Sequence, residues 1–205
     1  LLASQTLVEH GAHARDLLPE IDRLLERCGV RPPDLLGIAV TVGPGSFTGV
    51  RVGLATAKGL AYSLGIGLHG MSTLEALALM AIADRDVAPS RLCAALEAGR
   101  GEVYAALYRV ENGRPIRETA DLSYRPADLL SVLTSGTVLV GDGSDSLQRA
   151  ARGAGLVIEV VDRSAPLAGA VALEGGRTLR PGTPYRPGEP RPNYVRPSDA
   201  EAARR

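Results

Sequence analysis

Apolar residues recur along this chain with two periods, and each period predicts a different kind of element. In HARDLLPEIDRLLERCG, Leu17, Leu18, Ile21, Leu24 and Leu25 form one stripe at helical spacing, with Asp16, Glu20, Arg23, Glu26 and Arg27 on the other side. Gly29 supplies a stop, and Arg31-Pro32-Pro33-Asp34 a loop. Residues 1–8 read as a short strand. LLGIAVTV (35–42) is a continuous apolar run rich in branched residues, which predicts a buried strand covered on both faces. A Gly-Pro-Gly loop follows, then a helix from about Thr48 to Leu64, and GIGLHG as a short strand or connection. STLEALALMAIA (72–83) predicts a further helix, with Ser72 as N-cap and Glu75 completing a capping box.

Between residues 84 and 92 the character changes. RLCAALEAG and GEVYAALYRV predict two strands joined near Gly99-Arg100-Gly101, and NGRPIRET continues them through an Asn-Gly turn. RPADLLSVL is a short helix with proline in its first turn, TVLVGDGS a strand and glycine turn, and DSLQRAARGAG a helix. LVIEVV is a strand, and SAPLAGAVALEGG a helix ended by its glycines. The pattern predicts an α/β fold: a first lobe over residues 1–88, a second over 89–177, and a Pro/Arg-rich extended tail over 178–205.

Composition narrows the functional classes. The 205 residues are 45% hydrophobic and 22% charged, with a net charge of zero, as in an ordinary globular protein. A protein that grips nucleic acid alone usually carries a basic excess, so tRNA is expected as an indirect partner only. No apolar run has the ~18 residues of a membrane span, no signal peptide is visible, and Cys28 and Cys93 have no metal or redox spacing. These features point to the cytoplasm. Of the 23 basic residues only Lys58 is lysine, which makes it a candidate of interest as well as a plausible chance survivor.

TVGPGSFTGVRVGLATAKGLA (41–61) is the most patterned stretch. A strand entering a glycine-rich turn and a helix amino end exposes backbone N–H groups to an anion. Gly43, Pro44, Gly45, Ser46, Thr48 and Arg51 are therefore candidates for a phosphate loop, or for a plain strand-to-helix turn. The spacing matches neither the P-loop nor G-x-G-x-x-G. Along the helix, Gly49, Gly53, Ala57 and Ala61 recur every four residues and predict a face bare enough for a second helix, from this chain or another.

GPGSFTGVRVGLATAKGLA closely resembles the signature of the TsaB family, also called YeaZ. HARDLLPEIDRLL, MSTLEALA, GEVYAALY and PNYVRP resemble further segments of that family, so the resemblance covers most of the chain. It implies an actin-like, ribonuclease-H-like (ASKHA) α/β fold of two lobes. It also implies a non-catalytic partner subunit, needed for threonylcarbamoyladenosine at position 37 of tRNA. In that family the subunit dimerises with and activates TsaD through its first two helices, TsaE joins them, and no cofactor is expected. The implied interface is Leu17, Ile21, Leu24, Val50, Gly53, Leu54, Ala57, Lys58 and Ala61, with the glycine loop a vestigial phosphate site. The related TsaD carries two metal-binding histidines where this chain has Thr73 and Leu77, which argues against TsaD's own activity.

Other constellations are weak. His10 and His13 read as surface or capping residues, Glu97 and Glu102 as strand-edge charges, and GDGSD (141–145) as a turn. No H-E-x-x-H or nucleophile triad is present, and no metal site is expected. The family opens with an Asp-Thr-Ser strand that is not seen here; residues 1–8 would match its third strand, so the fold is expected without its first strands. Two rival readings remain: an actin-like small-molecule kinase or ATPase, and a homodimeric structural module.

Overall fold

The computed structural model describes residues 1–6, 13–83, 89–134, 136–161 and 167–196, with the side chains of 13 and 14 left aside. The apolar stripe at 17–25 forms α1 (His13–Arg27). A 3-10 turn at Pro32–Asp34 follows, closed by Arg31, whose backbone N–H (3.1 Å) and guanidinium (2.9 and 3.0 Å) all donate to the Asp34 carboxylate. Then come β1 (Gly37–Thr41), α2 (Phe47–Leu64), β2 (Gly67–Met71) and α3 (Thr73–Ala83). The later part adds β3 (Arg91–Gly99), β4 (Glu102–Glu111), β5 (Arg114–Arg117), β6 (Leu122–Tyr124), α4 (Pro126–Leu130), β7 (Thr137–Val140), α5 (Ser144–Gly153), β8 (Glu159–Val160) and α6 (Leu167–Thr178).

The chain divides into two compact units. The first takes the described parts of Leu1–Val42, Ser46–Met71 and Pro166–Pro192; the second takes those of Gly43–Gly45, Ser72–Ala165 and Asn193–Arg205.

In the first unit β1 and β2 pair in parallel, in a register running from Gly37 with Gly67 to Thr41 with Met71. Helices α2 and α6 both pack on β1. Three expectations change here. Residues 1–6 form no strand, and 7–12 lie outside the described residues. β1 is half-buried along its whole length instead of fully buried, because among the described residues β2 is its only strand neighbour. α6 does not stop at its glycines but runs on to Thr178, whose hydroxyl donates to the Glu174 carbonyl at 2.9 Å.

The physical reason for that last difference lies in close packing. Gly175 is buried against β1, and a Cβ there would sit 2.5 Å from Cβ of Ala39. This glycine is a contact point between helix and strand, not a terminator. The same holds for Gly70, where a Cβ would meet the ring of Pro190 at 2.4 Å. After α6 the backbone at 179–192 is irregular, and Leu179, Thr183 and Pro190 pack on the β1–β2 pair.

In the second unit a six-stranded sheet runs in the order β5-β4-β3-β7-β8, with β6 also paired to β4. β3 is antiparallel to β4 and parallel to β7, and β7 is parallel to β8. On one face Cys93, Ala95, Val103, Ala105, Leu107 and Leu139 meet Leu129 of α4 and Leu147 of α5. The other face, with Leu92, Ala94, Ala106 and Tyr108 buried, takes the almost wholly apolar α3. Asn112 (φ 50°) and Gly113 (φ 70°) are both left-handed, as an Asn-Gly hairpin turn requires. Arg100 (φ 56°) and Gly101 (φ 76°) turn the β3–β4 hairpin in the same way. β8 is only two residues long, because of LVIEVV only Ile158 and Val160 reach the core while Val157 is fully exposed.

Ser72 is the N-cap of α3, as expected, but it caps Leu74 and not Glu75 of the expected capping box. Ser72 Oγ accepts from the N–H of Leu74 at 3.1 Å and donates to Asp121 at 2.7 Å. Glu75 instead faces the Arg117 guanidinium at 3.6 Å. Asp121 also accepts from Asn193 at 2.6 Å and from Arg117.

Gly175 and its neighbour Gly176 provide a paired test. Gly175→Val has to push α6 off β1 and should destabilise the fold by about 1–3 kcal/mol, as overpacking does. Gly176 has nothing within 4 Å of its Cβ position, so Gly176→Ala should stabilise by up to ~1 kcal/mol through helix propensity. Thermal melts of the two variants should move in opposite directions.

Candidate functional site

Helices α1 and α2 belong to the first unit and pack on each other. On α1, Leu17, Ile21 and Leu24 are half-buried, while Leu18 is 50% exposed. On α2, Leu54, Ala57 and Ala61 are buried within the chain itself; Val50, Gly53 and Lys58 are half-buried, and Gly49 is exposed. The four-residue repeat Gly49-Gly53-Ala57-Ala61 is therefore not one outward face. Four residues make slightly more than one helical turn, so each step rotates by about 40° and the stripe winds from solvent into the core.

Beyond Gly49 in its first turn, the exposed small residues of α2 include Ala55 and Gly59, with exposed Thr48, Arg51 and Ser63 on the same side. Beside them Tyr62 is 74% exposed, its ring edge-on to Tyr185 of the same unit at 6.3 Å. Neither Gly53 nor Gly59 has any atom within 4 Å of a Cβ position. Ala55, Gly59 and Tyr62 were not evident from the four-residue spacing. Counting by 3.6 from buried Leu54, Ala57 and Ala61 would have found them on the opposite side.

The glycine loop reads first as structure. Gly43 and Pro44 are buried and group with the second unit, where the Gly43 carbonyl accepts from the N–H of Thr73 at 2.8 Å. Gly45 is exposed and groups with them. Ser46 and Thr48, also exposed, belong to the first unit, and Ser46 is the N-cap of α2, its Oγ accepting from the N–H of Gly49 at 3.3 Å. The Arg51 guanidinium lies 3.6 Å over the ring of Phe47.

The remaining candidates separate on contact. Thr73 and Leu77 stand on α3, Leu77 buried, and neither side chain supplies the imidazole that TsaD's metal requires, so that metal does not fit here. Among the described residues no group of three or more His, Cys, Asp or Glu is placed to hold an ion. His10 and the side chain of His13 lie outside the described residues; His69 is half-buried on β2. Glu97 accepts from Ser146 at 2.5 Å, while Glu102 accepts from Ser123 at 2.8 Å and Arg196 at 3.1 Å. The Ser123 hydrogen bond, helped by Arg196, holds the Glu102 carboxyl below the ordinary range. The two glutamates have separate structural partners. In GDGSD, Asp142 accepts from the backbone N–H of Glu97 at 2.9 Å, which makes this segment a turn tied to β3.

With the geometry in place, similarity to known proteins becomes informative. A family model described as "TsaD: tRNA N6-adenosine threonylcarbamoyltransferase" matches residues 7–152. The chain is 38% identical over 121 residues to the tRNA threonylcarbamoyladenosine biosynthesis protein TsaB of Bacillus subtilis, covering 59% of this chain and 51% of that one. To the protein of the same name from Escherichia coli it is 35% identical over 150 residues, covering 71% and 64%. The chain belongs to the TsaB (YeaZ) family, within this TsaD-type domain family. A crystal structure of an uncharacterized protein with similarity to peptidase YEAZ, from Pseudomonas aeruginosa, superposes with a TM-score of 0.71 at 25% identity, over 90% of this chain and 84% of that one. The expected actin-like (ASKHA) α/β fold class is thus the observed one. The chain spans between half and two thirds of the length of the two TsaB relatives.

The thiols of this TsaB-family chain give a direct check on the geometry. Burial pushes Cys93 up to about 12, so it stays protonated, whereas Cys28 is only half-buried. A disulfide thiol reagent at pH 8 should titrate Cys28 alone in the native protein, and both cysteines once denaturant is added. Fast release of two equivalents from the native state would contradict the buried β3.

Proposed function

We propose that the chain acts in threonylcarbamoyladenosine modification of tRNA, as a non-catalytic subunit that pairs with TsaD and activates it. TsaE joins the assembly, and the setting is cytoplasmic. The names of the TsaB relatives support the pathway. Among the described residues no helix is long and apolar enough to cross a membrane.

The observation that carries the pairing is the solvent side of α1 and α2. An exposed leucine, Leu18, belongs to the same pair of helices as a bare stretch at Ala55 and Gly59 beside an exposed tyrosine, Tyr62. A bare helix surface lets a second helix approach closely, and the flanking apolar side chains fill the sides of the contact. Leu17, Ile21, Leu24, Val50, Gly53 and Lys58 are all half-buried, and of these Val50 lies on the inner side of α2 with Leu54 and Ala57. Leu54, Ala57 and Ala61, already covered, set the position of α2 from within.

This reading separates binding from folding. At Gly53 and Gly59 an added Cβ meets no described atom outside the helix's own backbone within 4 Å, so Gly53→Leu and Gly59→Leu should leave the melting temperature level or raise it through helix propensity. Pull-down of TsaD should nevertheless weaken at least tenfold. Ala57→Leu should do the opposite, lowering stability by about 1–3 kcal/mol through overpacking. Unchanged TsaD capture by both glycine variants would remove this surface from the interface. Purified TsaD and TsaE, with and without the chain, assayed for modified tRNA, tests the function itself: an equal yield without the chain would overturn it.

A further inference from the structure

Away from α1 and α2, Arg100, Arg125 and Arg149 line an open cleft of about 650 Å³ in the second unit. Each comes from a different element: the β3–β4 turn, the residue before α4, and α5. All three are exposed. Among the described lining residues three arginines face one carboxylate, Glu102, which accepts from the Ser123 hydroxyl and Arg196 and also attracts Arg125. The lining therefore keeps a local positive excess although the chain as a whole is neutral.

The second observation is conformational. β4 is flanked by two hairpins: one turns through two left-handed residues, the other through two that follow a third, Gly99, at φ 72°. One uses Asn112-Gly113, the pair best suited to that geometry; the other uses Arg100-Gly101. A long side chain at positive φ is unfavourable where asparagine or glycine is not. The chain keeps the unfavourable residue at the turn that places a guanidinium on the cleft.

From this we infer that the cleft binds the phosphodiester backbone of RNA. Guanidinium groups fork onto phosphate oxygens, and three of them spread over separate elements suit a polymer with repeated charges. A single nucleotide fits less well: among the described residues no aromatic ring lines the cleft to stack its base. The choice of RNA over another polyanion rests on the tRNA-modification reading above.

The test is titration of fluorescein-labelled unmodified tRNA with the full chain, alone and mixed with TsaD, at about 50 and 200 mM salt. The triple variant R100G/R125A/R149A should bind at least tenfold more weakly at the lower salt, with the salt dependence of log K reduced by about 2–3. Arg100→Gly alone should raise the melting temperature while weakening RNA binding. A merely structural arginine would change only the first. If the triple variant fails to fold, Arg149→Gln, a conservative surface change, carries the same expectation at smaller size. Tight tRNA binding unaffected by these substitutions would overturn the inference, as would displacement of tRNA by polyglutamate but not by inorganic polyphosphate. TsaD pull-down by the same variants separates the two readings: lost pull-down bears on pairing, and lost salt dependence with pull-down intact bears on the cleft.

Discussion

How near one backbone can come to another decides most of the first unit. α6 touches β1 where Gly175 faces Ala39, and the segment after it reaches the sheet where Gly70 leaves room for Pro190. α2 seats itself through Ala57 and Ala61, both buried. Dispersion falls off within a fraction of an ångström, so a close backbone contact gains many weak attractions that a bulky side chain would hold apart. The second unit uses the same economy of volume. Ala94 pairs with Ala106 and Ala95 with Ala105 at the centre of its sheet, and larger residues from α3, α4 and α5 fill the space above and below.

Where small residues set distance, charge sets identity. The Asp121 carboxylate, with its side chain 5% exposed, gathers the hydroxyl of Ser72, the amide of Asn193 and the guanidinium of Arg117. A shielded charge is tolerated only when it is well partnered, and removing one partner usually costs more than the pair contributes. This hub ties the start of α3, the link between β5 and β6 and the segment after Pro192 to one point within the second unit.

Much of this was legible in the sequence because local pattern and final structure agree. The stripe at Leu17–Leu25 is α1, the run at 137–140 is the fully buried β7, and Asn112-Gly113 is a hairpin turn. What escaped depended on contacts distant in sequence. β6, three residues long, exists because β4 offers Val103, Tyr104 and Ala105 as partners. Gly175 and Gly176 look like a helix stop until Ala39 explains the first of them. The orientation of α2 was misjudged for a geometric reason, since a repeat of four is not a straight line on a helix of 3.6 residues per turn. Of the candidate site, the two helices could be named beforehand, but not the side of α2 that meets solvent.

The contact between Gly175 and Ala39 also imposes an order of events during synthesis. β1, α2 and β2 leave the ribosome before the second unit's sheet, yet α6, the helix that packs on β1, is made after it. Most of the second unit is encoded between them, its core strands β3, β4 and β7 included, while the Asn193 that joins its Asp121 hub follows α6. The first unit is therefore incomplete until α6 is made, with one flank of β1 waiting for a partner from far along the chain. Closing so long a loop is slow, and a waiting apolar surface is exposed to misassociation in the interval. The first unit closes only once α6 has been made.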